Sequence, residues 1–291
     1  MRYEGTVYRP PSEAHSLILQ ATIGCSHNAC TFCIMYKDKK YRERSLEEIE
    51  ADIGAAAQLY PHARRVFLAD GNALALPTAH LTAVLEMLKT RFPRLERIGI
   101  YAGPQDILGK DPAELKALRK AGLGIVYLGV ESGSDRVLRQ VNKGADREEM
   151  VRAGKRVRRA GLTLSVTVIL GLGGKEASLE HARETARVIN EIDPEYLAPL
   201  TLLIDPHAPL ARKVERGEFT PLTPLEVLAE MRELVTGLEL SNCVFRSNHA
   251  SNYLPVKGTL PQDKERMLRE ITHVLAVRDR GVLRPESWRG F

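Results

Sequence analysis

Apolar runs of strand length alternate with helix-patterned stretches through the first two-thirds of this chain. That alternation constrains the fold more than any single residue does. Strands are expected near 16–24, 64–70, 97–103, 124–130, 162–170 and 195–204, with helices between them near 45–59, 78–91, 111–120, 146–160 and 177–190. Ser45 followed by Glu48 has the form of a capping box, and Asp111-Pro112 sets a capping side chain before a proline at the first helical position. Strands joined through helices pair in parallel, because each helix carries the chain back to the end from which it started. Six such units predict an α/β fold: a partial (β/α)6 barrel of TIM type, left open at the side rather than closed eight-fold. The opening would admit a bulky substrate.

Residues 206–291 follow another pattern, and we expect them to form a C-terminal α+β extension that caps the barrel of residues 1–205. Four prolines (Pro206, Pro209, Pro221 and Pro224) lead into an amphipathic helix near 224–238. A short apolar strand starts at Cys243, and a second helix is expected near 261–277. Between them the run Ser247-Asn-His-Ala-Ser-Asn-Tyr253 is dense in hydrogen-bonding side chains. Asn248, His249, Ser251 and Asn252 either face the barrel mouth as substrate contacts or satisfy the chain's own backbone in an ordered turn. Cys243 reads as a core thiol.

Cys25, Cys30 and Cys33 lie within nine residues, directly after the first apolar run. Three thiolates can hold three irons of a four-iron cluster and leave the fourth open to an outside ligand. The competing reading is zinc held by these thiols with His27, although structural zinc sites usually draw on two separated knuckles. A disulfide fits less well, because the N-terminus (Met1-Arg2-Tyr3-Glu4) is polar and charged, with no signal-peptide pattern. A reducing, cytoplasmic setting is therefore expected.

With these cysteines go three further strand-end segments: Asp70-Gly71-Asn72, then Gly129-Val-Glu131-Ser132-Gly133-Ser134, then Gly171-Leu-Gly173-Gly174. Taken singly, each has a structural explanation as a turn, a helix cap or a tight loop. Together and in this order, the chain resembles the radical S-adenosylmethionine (radical SAM) enzymes. Within them it is most similar to the branch that includes the oxygen-independent coproporphyrinogen oxidases, the methylthiotransferases and the elongator catalytic subunit. In that family the cysteines are usually spaced three and then two residues apart, with an aromatic residue before the last. Phe32 takes the aromatic place and the second gap agrees, while the first gap holds four residues, as a one-residue bulge would.

The resemblance implies the same six-fold barrel, with a [4Fe-4S] cluster on Cys25, Cys30 and Cys33. It implies S-adenosyl-L-methionine held by Phe32, Asp70, Gly71, Asn72, Glu131, Ser132 and Gly171, and a basic carboxylate contact near Lys155 or Arg156. Electrons would come from a partner such as flavodoxin or ferredoxin. Reductive cleavage of the sulfonium would then give a 5′-deoxyadenosyl radical that takes hydrogen from a substrate, either a small molecule or a segment of RNA or protein. For Cys243 the alternatives to a core thiol are a fourth cluster ligand, which would block the open iron, or a radical quencher. Two other functions stay open: a non-catalytic haem or cofactor carrier of the same fold, with His249 as a candidate axial ligand, and a zinc-stabilised RNA-binding scaffold.

Composition narrows this modestly. The chain has 291 residues, 44% of them hydrophobic, and no apolar run long enough to cross a bilayer. Its formal charge is +5, from 42 basic and 37 acidic residues, too mild to name a partner. Two basic clusters stand out: Lys37, Lys39, Lys40, Arg42 and Arg44 beyond the cysteines, and Arg152, Lys155, Arg156, Arg158 and Arg159 on a helix. Such runs are usually solvated faces.

Overall fold

The computed structural model describes residues 1–278 and 280–290. The chain forms two compact units. The first comprises Met1–Asn28, Cys33–Leu128 and Ala153–Leu164, and the second Ala29–Phe32, Gly129–Arg152 and the chain from Ser165 on. All of residues 206–291 therefore fall in the second unit, together with 165–205.

In the first unit, β1 (Leu17–Gln20) precedes a small antiparallel pair, β2 (Thr22–Ile23) with β3 (Arg42–Glu43). Helix α1 (Leu46–Leu59), β4 (Arg65–Ala69), α2 (Thr78–Arg91), β5 (Arg97–Ala102), α3 (Pro104–Leu108), α4 (Pro112–Ala121) and β6 (Leu123–Glu131) follow. β1 pairs with β4, β4 with β5 and β5 with β6, all parallel, through registers such as Leu17↔Val66, Val66↔Ile98 and Ile100↔Val126. β4 is buried on both faces beyond Arg65, as its unbroken apolar sequence requires. Phe67 meets the rings of Tyr101 and Tyr127 edge-on, at 4.8 and 5.7 Å between centroids. Ile49 and Ile53 of α1 and Leu81, Leu85 and Leu88 of α2 are buried apolar side chains of the same unit.

The second unit takes over from β6 at Gly129. It holds α5 (Asp135–Gln140), the start of α6 (Arg147–Arg159), most of β7 (Thr163–Leu170), then α7 (Gly174–Ile192), β8 (Tyr196–Thr201) and α8 (Pro209–Glu215). After these come α9 (Pro224–Gly237), β9 (Cys243–Arg246), β10 (Lys257–Leu260) and α10 (Lys264–Val277). β7, β8 and β9 pair in parallel (Leu170↔Thr201, Leu197↔Phe245), and β10 closes the edge antiparallel to β9. α9 packs between α7 and α10.

The expected strands and helices form, with local differences. The first apolar run breaks at Ala21, whose N–H donates to the Ala69 carbonyl while its own carbonyl accepts from Arg44 N at 3.3 Å. Thr22 and Ile23 then leave the main sheet to pair with β3. β10, α3, α5 and α8 are elements that the apolar pattern did not distinguish from loop. Among the described residues no helix is long and apolar enough to cross a membrane.

Candidate functional site

In the first unit, Gly24–Cys25 after β2 and Asp70-Gly71-Asn72 after β4 lie side by side. Gly71 has no room for a side chain: a Cβ there would lie 2.6 Å from the Cβ of Cys25 and 2.8 Å from the Gly24 carbonyl oxygen. Asn72 reaches across the same gap, its Oδ1 accepting from Ser26 N at 2.9 Å and its Nδ2 donating to Ser26 Oγ at 2.6 Å and to the Asp106 carboxylate at 2.8 Å. Asp70 is fully buried. Its Oδ2 accepts from Lys39 Nζ at 2.9 Å, Gly24 N at 3.2 Å and Gln20 Nε2 at 3.3 Å, while its buried Oδ1 has no hydrogen-bond partner among the described residues. Cys25 and Cys33 are partly exposed and belong to this unit. Burial pushes the Tyr36 phenol well up, with added repulsion from Tyr101, Asp70, Cys33 and Cys25.

Cys30 belongs to the second unit through the segment Ala29–Phe32. Thr31 N donates to the Val141 carbonyl and Leu210 N to the Thr31 carbonyl, both at 2.9 Å, and Asn142 Nδ2 donates to the Ala29 carbonyl at 3.2 Å. Phe32 packs on the apolar cluster of Val137, Val141, Leu172 and Ala177. None of the four cysteines forms a disulfide, and Cys243 is buried in β9. As the side chains lie, the described residues bring no three His, Cys, Asp or Glu groups into metal-holding proximity.

Glu131 ends β6 at φ +65°, a left-handed conformation that costs a non-glycine residue about 1–2 kcal/mol. Its carboxylate pairs with Lys143 Nζ at 2.9 Å. Ser132 Oγ lies 2.8 Å from His181 Nδ1, and His181 Nε2 lies 3.0 Å from the Ile169 carbonyl. A carbonyl can only accept, so Nε2 carries a proton, and in the neutral ring Nδ1 accepts from the Ser132 hydroxyl. Buried Glu230 of α9 accepts from Gly171 N at 2.6 Å and from Ser178 Oγ, with His181 Nε2 3.6 Å away. The loops after β6 and β7 are thus tied together through α7 and α9. Nothing in the sequence singled out His181 or Glu230: each occupies an ordinary helical position, and only the packing pairs them.

In the tail, Asn252 is saturated. Its Oδ1 accepts from Thr201 Oγ1 at 2.8 Å, and its Nδ2 donates to the Pro199 and Ser247 carbonyls at 2.8 and 2.9 Å. Ser251 Oγ accepts from Thr201 N at 3.2 Å, and His249 Nδ1 accepts from Ser251 N at 3.1 Å. Burial, then the Arg284 charge, lowers the His249 pKa. Asn248 is exposed. A cavity of about 390 Å³ opens at the ends of β7 and β8, between Leu170, Gly171, Thr201, Tyr253 and Arg289. The Arg289 guanidinium stacks over the Tyr253 ring at 4.2 Å. A second cavity, about 870 Å³, lies in the first unit at the opposite ends of the strands, beside Leu17 and Arg65, away from Cys25 and Asp70.

The basic clusters are largely spent within the fold. Lys39 and Arg44 are buried on Asp70 and Asp52, at 2.9 and 2.7 Å, and Arg42 is shared by Glu4 and Glu48. Arg156, a candidate carboxylate contact, donates to the carbonyls of Leu108 and Lys110 at 2.9 and 2.8 Å.

Residues 19–189 match the family model described as the radical SAM superfamily. The chain is 23% identical over 179 residues to the heme chaperone HemW of Bacillus subtilis (strain 168), an alignment covering 60% of this chain and 46% of that protein. It is 24% identical over 240 residues to a putative methylthiotransferase of Methanocaldococcus jannaschii, covering 75% and 51% respectively. The chain thus spans about half the length of these curated relatives. Among solved structures, coproporphyrinogen III oxidase (HemN) from Escherichia coli superposes with a TM-score of 0.62 at 22% identity, over 76% of this chain and 52% of that one. At that identity the likeness is one of fold, and it agrees with the mostly parallel α/β sheet described above.

Proposed function

The chain belongs to the radical SAM superfamily, and from that premise we propose that it is an enzyme that cleaves S-adenosylmethionine reductively and takes a hydrogen atom from a substrate of its own. The observation that carries this reading is the placement of Cys25-x4-Cys30-x2-Cys33 after β1, inside the matched segment. The residues fit a [4Fe-4S] cluster by the chemistry of their donors: three partly exposed soft thiols on nine residues, with bare Gly71 leaving Cys25 its space. When bound, such a cluster with S-adenosylmethionine supplies the electron and the radical chemistry.

The chain's own residues would bind, orient and shield. Cys25, Cys30 and Cys33 would hold the iron. Asp70, Gly71 and Asn72 would line the methionyl end, and Glu131, Ser132 and Gly171 the nucleoside end, with Phe32 excluding water. In the same reading residues 206–291 complete the substrate site, and the 390 Å³ cavity beside Gly171, Tyr253 and Arg289 would accept part of a small molecule or of an RNA or protein segment. A flavodoxin- or ferredoxin-like protein would supply electrons in a cytoplasmic setting.

The test is anaerobic reconstitution followed by EPR of the reduced protein with and without S-adenosylmethionine, and assay of 5′-deoxyadenosine. A [4Fe-4S]1+ signal that changes on addition, with 5′-deoxyadenosine formed, is expected. An iron-free protein holding stoichiometric zinc would sink the proposal. The likeness to a heme chaperone supports a second reading as a haem carrier of the same fold. Stoichiometric haem uptake without 5′-deoxyadenosine would favour that one.

A further inference from the structure

We propose that the buried Lys39–Asp70 pair is a clasp that closes the cysteine-bearing loop, making Lys39 a positioning residue for Cys25 and Cys33. The inference deepens the cluster reading above and rests on it. Gly24 N, at the start of the loop, and Lys39 Nζ, at its exit, converge on one atom, Asp70 Oδ2, at 3.2 and 2.9 Å. Asp70 follows directly on β4, so both ends of the loop are pinned to one rigid strand end. Gln20 Nε2, from β1, donates to the same oxygen at 3.3 Å.

Lys39 is shaped for this task rather than for solvent. Its side chain is 5% exposed, its ammonium also donates to the Thr6 carbonyl, and it lies 5.5 Å from the centre of the Tyr36 ring. Its backbone N–H donates to the Tyr36 carbonyl at 3.2 Å, and Asn28 Nδ2 braces that same carbonyl at 2.6 Å. The tripeptide on the strand then grips the loop a second and third time, through Gly71 against Cys25 and Asn72 on Ser26. Asp70 Oδ2 and the Asn72 amide therefore make their hydrogen bonds within the protein that carries the thiols. Closing a loop costs chain entropy, and a buried ion pair with hydrogen bonds from several sides can hold it closed where an exposed pair could not. Losing either partner strands a charge in the interior, so the loop must open to hydrate it.

The test measures thiol reactivity of the full chain, stripped of iron and kept anaerobic, so it does not depend on activity. N-ethylmaleimide labelling at each cysteine is followed by peptide mass spectrometry in wild type, K39M, D70N and the charge-neutral pair K39M/D70N. Cys243, buried in β9, serves as the internal control for global unfolding. K39M and D70N, each of which strands a charge, are expected to label Cys25 and Cys33 at least about tenfold faster than wild type with Cys243 unchanged, because local opening leaves the rest of the fold intact. The charge-neutral pair should lie closer to wild type than either single variant. In reconstituted protein, loss of iron to a chelator should accelerate similarly. Wild-type labelling rates at Cys25 and Cys33 in K39M and D70N would overturn the clasp, as would a rise at Cys243 in step with them. If wild type takes up no iron at all, the cluster reading fails, while the labelling rates still decide whether the clasp exists.

Discussion

At Gly71 the geometry leaves one hydrogen atom where any other residue would put carbon. The obstructing atoms are Cys25 Cα and Cβ and the Gly24 carbonyl, which cannot swing aside as the tip of a long side chain can. Gly71→Ala should therefore cost about 2–3 kcal/mol in urea unfolding, the usual scale for forced overpacking. Iron uptake should fall with it. Gly54, inside α1 with nothing within 4 Å of its missing Cβ, gives the opposite sign. Gly54→Ala should stabilise by about 0.5–1 kcal/mol in the same measurement, since it removes freedom from the unfolded chain at no steric cost. At this scale the thiols and the Asp70-Gly71-Asn72 turn were legible, because local spacing marks them. Lys39 was not: it reads as one of five basic residues, and its partner lies 31 residues away.

The elements carry their signals more openly. Ser45 and Glu48 form the capping box that the sequence announces, with Ser45 N donating to Glu48 Oε2 at 2.9 Å. Glu226 plays the same part for Thr223 at the start of α9. Arg42, then the Ser45 N–H, holds the Glu48 carboxyl down at about 2, and the Thr223 N–H, then Lys175, does the same for Glu226. Both folded-state values lie below the unfolded value of about 4.3, so the stabilisation is complete above that pH and is lost as pH falls through about 2. Because both groups are about one-third exposed (34% each), each is worth only about 0.5–1 kcal/mol. Wild type should thus exceed the E48Q/E226Q variant near pH 6 and converge on it near pH 2, in urea melts at the two pH values. What the pattern could not give was the break at Ala21. Ala21 is as apolar as its neighbours, and only the carbonyl of Ala69 and the amide of Arg44 turn the strand aside there. The short α5 and α8 escaped for a related reason, since one or two turns hold too few residues to display a helical period.

For the whole molecule, net charge misleads when read as surface. Of the five basic residues after the cysteines, Lys39 and Arg44 are buried on carboxylates and Arg42 is shared between two more. The cationic face available to a polyanion is smaller than the sequence suggests. Non-specific RNA should bind with Kd weaker than about 10 µM near 0.15 M salt, by fluorescence anisotropy. Tighter, steeply salt-dependent binding would favour the RNA scaffold. The parallel α/β plan was legible across the chain because strand and helix periods differ. The polar run in the tail was ambiguous for a physical reason: Asn and Ser have the same chemistry whether they face a ligand or the backbone, and Asn252 is spent on Thr201, Pro199 and Ser247.

The Lys39–Asp70 pair also bears on inheritance. A buried charge left without its counter-ion costs about 3–5 kcal/mol, a large fraction of the stability of a typical domain. Neither residue can drift alone, so lineages descended from this protein should keep both or exchange both, and the two positions would evolve as one character.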